Sequence, residues 1–243
     1  MLLTPDQQIR LEEANKRLVT HPDDVSAICR RGDLLRIGED YRGALKDFNV
    51  ADIFDPNNAK TLKARGTVKM HLGDFDGAMK DLNRSDEIEP EDQYTLKVRG
   101  ATLIKMGRFE EGLKDLEKAA ELRVDDYFVV QFYGVAKMMQ GQYEQAEDDF
   151  THALQLYPRA HDVFINRAKV RIELSNYIGA LSDLDRAEEL TGYLSEIYQV
   201  RGELKDMMGD SEGSQIDLKR AREIVDADTK AQKARESLKG YDF

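Results

Sequence analysis

The chain has no tryptophan, one cysteine and five prolines in 243 residues. A single cysteine, Cys29, excludes an internal disulfide, so nothing covalent holds this fold together. No apolar run approaches the roughly 20 residues that a membrane-spanning helix needs. Basic side chains are outnumbered, with 36 Lys and Arg against 47 Asp and Glu and a formal net charge of −11. That balance favours solubility and argues against a nucleic-acid backbone as partner. The start, MLLTPDQQ, lacks the basic stretch and apolar run of a secretory leader, so cytoplasm or nucleus is the expected compartment. Catalytic motifs are missing too. There is no phosphate-binding glycine loop, no nucleophile elbow and no H-E-x-x-H, and His21, His71, His152 and His161 are scattered without ligand spacing. Neither enzymatic activity nor a cofactor or metal is expected. Cys29 reads as a small packed residue, since no histidine is placed by sequence to activate it.

The few prolines are themselves patterned. Pro22, Pro56, Pro90 and Pro158 fall on one period of 34 residues, with Val124 where the missing one belongs. Six blocks follow without insertion or deletion: 25–58, 59–92, 93–126, 127–160, 161–194 and 195–228. A fixed period of this size marks stacked supersecondary units, none able to bury its apolar face alone. Within a block the apolar spacing is helical and the punctuation falls between helices. The second block predicts one helix from Ala59 to Leu72, a turn at Gly73-Asp74, and another from Phe75 to Ile88 before Glu89-Pro90 stops it. Gly107, Gly141 and Gly209 offer the same turn, while the first block uses Gly38-Glu39-Asp40 and the fifth Ser175-Asn176.

Columns of small and large residues explain how such pairs pack. Gly32, Gly66, Gly100, Gly134 and Gly202, with Ala168 in the fifth block, sit mid-helix, where glycine costs about 1 kcal/mol against alanine and is kept for close helix approach. Ala44, Ala78, Gly112, Ala146, Ala180 and Ser214 are small on the facing helix. Phe48, Leu82, Leu116, Phe150, Leu184 and Leu218 fill the space between. A charge pair repeats as well: Asp47, Asp81, Asp115, Asp149, Asp183 and Asp217 recur in every block, and Arg31, Arg65, Arg99, Arg167 and Arg201 in all but the fourth, where Tyr133 stands. Aspartate is a mediocre helix former, so a partner is expected, an Arg–Asp bridge within or between blocks.

This arrangement of small, aromatic, large and proline landmarks at one period resembles the tetratricopeptide-repeat family. The resemblance implies an all-α fold, an α-solenoid in which antiparallel helical hairpins build a right-handed superhelix whose first helices line a concave groove for peptides. Residues 1–24 are expected to form an N-terminal capping helix, opened by Thr4-Pro5-Asp6-Gln7 as N-cap, first-turn proline and capping-box glutamine. Residues 229–243 are expected to form a C-terminal capping helix, from Thr229 to Leu238, and a tail that is either frayed or a short aromatic ligand.

The function implied by the resemblance is a non-enzymatic scaffold that binds a peptide or helical segment of another protein. The alternatives are self-association, or service as the regulatory or targeting part of a larger enzyme or co-chaperone assembly. By analogy with the family, the groove positions are Lys60, Lys63, Tyr94, Lys97, Val98, Ile104, Phe128, Phe132, Val135, Met138, Ile165 and Asn166. Blocks one and two lean basic, blocks three and four lean apolar, and blocks five and six end acidic with Glu196, Glu203 and Asp206. A partner segment with an acidic end, an apolar centre and a basic end is the matching expectation. The family's carboxylate-holding pattern, with Lys, Asn and Arg at set places in consecutive blocks, is not reproduced here.

Overall fold

A computed structural model of the chain describes residues 3–122, 125–192 and 194–238. Among them the chain forms thirteen α-helices and no strand. After α1 (Pro5–Thr20), the hairpins are α2 (Val25–Ile37) with α3 (Tyr41–Phe54), α4 (Ala59–His71) with α5 (Phe75–Ile88), and α6 (Gln93–Lys105) with α7 (Phe109–Leu122). Then come α8 (Tyr127–Met139) and α9 (Tyr143–Leu156), α10 (His161–Glu173) and α11 (Tyr177–Thr191), and α12 (Ser195–Met207) and α13 (Ser211–Leu238). By packing, the chain divides into two compact units, Met1–Phe132 and Tyr133–Phe243. The predicted capping box opens α1: the Thr4 hydroxyl accepts from the Gln7 amide, and the Gln7 side chain accepts from the Thr4 amide at 2.8 Å.

The expected separate C-terminal helix does not form, because α13 runs unbroken from Ser211 to Leu238. No proline or glycine interrupts Val225-Asp226-Ala227-Asp228-Thr229-Lys230, so the hydrogen-bond ladder has no reason to stop there. Val124 and the tail 239–243 lie outside the described residues.

Each unit has its own core. In the first, Ala44, Phe48 and Val68 are buried together, with Tyr41 and Leu45 packed against them. In the second, Ile165, Leu184, Ile197 and Leu204 meet across the small residues Ala168, Ala180 and Ala187. Burying one such large side chain contributes about 1.5–3 kcal/mol, which a lone hairpin has no surface to collect. Buried hydroxyls are partnered as well: Ser85 Oγ lies 3.3 Å from the Ala59 carbonyl and 3.2 Å from Thr95 Oγ1, tying α5 to the helices on either side.

The repeated Arg–Asp pair is a three-helix joint. Arg65 of α4 donates from Nε and Nη2 to Asp81 of α5 at 2.8 Å each, and from Nη1 to Asp52 of α3 at 2.6 Å. Arg99 repeats this with Asp115 and Asp86, and Arg201 with Asp217 and Glu188. Arg31 holds Asp47 and reaches Asn15 of α1, and Arg167 holds Asp183 and Thr151 of α9. The bridge is thus both within and between repeats. In the fourth repeat, where Tyr133 stands in the arginine column, Lys137 pairs with Asp149 of its own hairpin, its Nζ lying 2.7 Å from Asp149 Oδ2 as an ion pair without hydrogen-bond alignment.

The turns inside the hairpins share one left-handed position, occupied by Glu39, Gly73, Gly107, Gly141, Ser175 and Gly209. In the first repeat it is Glu39 and not Gly38 that takes the positive φ, since Gly38 sits at φ −80°. A side chain in this region costs about 1–2 kcal/mol, while glycine returns about 0.4–1 kcal/mol of that through its looser unfolded chain. Ser175→Gly is therefore expected to stabilise the chain by about 0.5–1 kcal/mol in urea denaturation, an unusual sign for a glycine substitution.

Candidate protein-interaction face

The residues expected to line a groove fall on the first helices of the hairpins, and the structure separates them into exposed and interior sets. Val98 is 2% exposed, Ile104 0% and Ile165 2%, so these three are core residues. Their apolar side chains face the partner helix of their own or a neighbouring hairpin; Ile165, for example, packs with Leu184 and Ile197. Phe132 and Val135 are also buried, and Thr67 and Ala101 on the same first helices are interior as well. Lys60 is exposed, while Lys63, Tyr94, Lys97, Phe128, Met138 and Asn166 are half-buried. Val135, Met138, Ile165 and Asn166 belong to the second unit and the others to the first.

In the first unit the half-buried members converge on an aromatic site. Tyr94, in the first turn of α6, places its hydroxyl 3.1 Å from Thr67 Oγ1 of α4. Lys97, one turn further along α6, holds its ammonium 5.6 Å from the Tyr94 ring centroid and 5.4 Å from that of Phe128. Phe128 lies 4.8 Å from Phe132, ring to ring, and Lys105 at the end of α6 sits 5.8 Å from the Phe132 centroid. Both lysines lie within the range in which a ring face attracts a cation.

The basic lean of these repeats is largely cancelled. Lys63 pairs with Asp92 at 3.1 Å and Glu89 at 3.3 Å, and Lys97 donates to Asp126 at 2.8 Å. Both aspartates lie at the starts of the next first helices, where Asp92 Oδ1 accepts from the Thr95 amide and Asp126 Oδ1 from the Phe128 amide. Burial pushes the carboxyls of Asp92 and Asp126 up, but the lysine and amide donors outweigh it and hold both below the usual carboxylate range. An acidic end of a partner beside Lys63 and Lys97 therefore loses its basis, because each ammonium already has its carboxylate. Sequence reasoning missed this because aspartate before a helix reads as a cap; the recurring 29-residue separation of Lys63 from Asp92 and of Lys97 from Asp126 is the signal that carried it.

Elsewhere the first-helix face is less organised. Arg36 pairs with Asp33 at 3.1 Å, and Lys169 with Glu196 at 2.6 Å. Cys29 is half-buried with its Sγ 3.5 Å from Thr61 Oγ1, and burial pushes its thiol up, which disfavours the nucleophilic thiolate. His71 stacks on Tyr41 at 4.6 Å between centroids. Among the described residues no helix is long and apolar enough to cross a membrane.

No sequence-family model matches the chain, and no curated protein matches it by sequence. Solved structures do resemble it. A tetratricopeptide-repeat protein from Parabacteroides merdae superposes with a TM-score of 0.69 at 20% identity, covering 88% of this chain and 85% of that one. A chain of the Cut9–Hcn1 hetero-tetramer of the APC/C gives a TM-score of 0.76 at 14% identity, covering 90% of this chain and 43% of the other. A thermophilic tetratricopeptide-repeat protein from Thermus thermophilus gives 0.64 at 17% identity, over 74% of this chain and 98% of that one. The repeat spacing, the helical hairpins and these superpositions agree: the chain has the fold of the tetratricopeptide-repeat proteins.

Proposed function

We propose that the chain is a non-enzymatic scaffold that holds an extended or helical segment of another protein against its first helices, with Tyr94, Phe128 and Lys105 at the centre of the docking face in the first unit. One observation carries this reading. The Arg–Asp and packing columns hardly change from repeat to repeat, whereas the first-helix face changes at every repeat and keeps an aromatic pair half-exposed in the third and fourth. Large rings at a solvent boundary are the side chains that most often dominate a protein interface. Folds of this kind generally mediate protein–protein interaction, and one of the similar structures is itself a hetero-tetramer.

The test is partner capture with variants on opposite faces. Phe128→Ala and Lys105→Glu are expected to lose proteins that the wild-type chain retains, while Lys80→Glu and Lys114→Glu, exposed on second helices, keep them. The reverse pattern overturns the reading. Phe132→Glu is not a usable probe, because Phe132 is a core residue and a charge there unfolds the repeat.

A further inference from the structure

Lys97 is held more elaborately than a link between repeats requires. The preceding repeat makes the same link, Lys63 to Asp92, and among the described residues no ring flanks Lys63 in the way that two flank Lys97. In the third repeat the ammonium lies between the faces of Tyr94 and Phe128 and ends on Asp126, which also accepts from Gln93 Nε2 at 3.3 Å. Two ring faces and a nearly buried carboxylate make a receptor for a cation, here filled by a side chain of the protein itself. The lysine stem is flexible and its head is strongly hydrated, so it returns to water readily.

We propose that Tyr94, Phe128 and Asp126 form a cation site that Lys97 occupies in the free chain and that an arginine side chain of the bound partner takes over. This rests on the docking face proposed above and gives its partner a chemistry. A guanidinium suits the site better than the resident ammonium: it is planar, weakly hydrated, stacks on rings and donates two parallel hydrogen bonds to one carboxylate. The exchange leaves Asp126 paired at both ends, so it carries no penalty for an uncompensated buried charge. A basic partner segment also complements a chain of net charge −11.

N-acetyl-arginine amide titrated into the full chain, with ring resonances of Tyr94 and Phe128 followed by NMR, tests this. Lys97→Ala is expected to bind the probe at least tenfold tighter than wild type, with saturable shifts at both rings. Asp126→Asn on that background keeps the acceptor for the Phe128 amide, and so the fold, yet is expected to abolish binding; Phe128→Leu is expected to do the same. N-acetyl-aspartate amide is expected to shift neither ring. Equal affinity in wild type and Lys97→Ala, or binding that survives Asp126→Asn, overturns the cation site. If that happens while partner capture still depends on Phe128, the docking face stands alone; probe binding without Phe128-dependent capture refutes the docking face instead.

Discussion

Arg99→Leu is expected to destabilise the chain by about 2–4 kcal/mol, more than removing Arg65, Arg167 or Arg201, whose aspartates each keep a second cation. Arg99 grips Asp115 with two donors, at 2.6 and 3.0 Å, and Asp86 with a third at 2.8 Å. Its side chain is 15% exposed and that of Asp115 13%, so deleting the guanidinium strands a mostly buried carboxylate. Fully buried pairs broken in this way cost about 3–5 kcal/mol, and the residual exposure lowers the expectation. The second repeat supplies the comparison. There Lys69 also reaches Asp81, at 2.8 Å, so Arg65→Leu leaves that carboxylate with a cation and is expected to cost about half as much. In the third repeat Leu103 stands at the equivalent of Lys69 and offers no such backup. Urea denaturation of the two variants measures the difference. The double variant Arg99→Leu/Asp115→Leu is expected to recover most of the loss, because two apolar side chains replace the pair without an orphaned charge. A cost below about 1 kcal/mol for Arg99→Leu places the joint with ordinary surface ion pairs and refutes its structural role.

What was legible in the sequence is what the period repeats. The glycine and alanine columns, the left-handed turns and the Arg–Asp pairs recur every 34 residues, and each has one physical reading that the structure bears out. Features present in one or two repeats were harder to read. Asp92 and Asp126 serve twice, accepting backbone amides at the starts of helices and closing ion pairs with lysines of the preceding first helix, and only the first role has a local sequence signature. Val98 and Ile104 sit on a helix with interior residues on most of its faces, so the helical period alone did not say which side met solvent. The continuity of α13 was missed for the opposite reason: Asp226 stands where Pro56, Pro90 and Pro158 stand in other repeats, so nothing there ends the helix.

A close backbone approach between the two helices of the third hairpin gives the other large effect. Gly112→Ala is expected to destabilise the chain by about 1–3 kcal/mol, although alanine is the better helix former by about 1 kcal/mol. A Cβ at residue 112 would lie 2.7 Å from the Gly100 carbonyl oxygen, 2.8 Å from Ile104 Cγ1 and 3.1 Å from the Ile104 amide nitrogen. Two of these three atoms are backbone, so no rotamer change makes room. The other second helices carry Ala44, Ala78, Ala146, Ala180 or Ser214 at this place, which shows that the hairpin architecture as such accepts a Cβ there. The third repeat is different because Gly100 and Gly112 face each other, and a Cβ on Gly100 would likewise meet the Gly112 carbonyl at 2.8 Å. With glycine on both sides, α6 and α7 settle closer, and Leu116 and Ile104 pack fully buried around the contact. Alanine at 112 drives the helices apart and loosens that packing, and the expected cost is what remains after the gain in helix propensity. Gly213→Ala, in the first turn of α13, meets the Asp210 carboxylate that accepts from the Gly213 amide, so its cost reports a disturbed helix cap and separates that effect from helix approach. Greater stability for Gly112→Ala in urea denaturation would show that the third hairpin relaxes to the spacing of its neighbours without loss, and that the close approach contributes nothing.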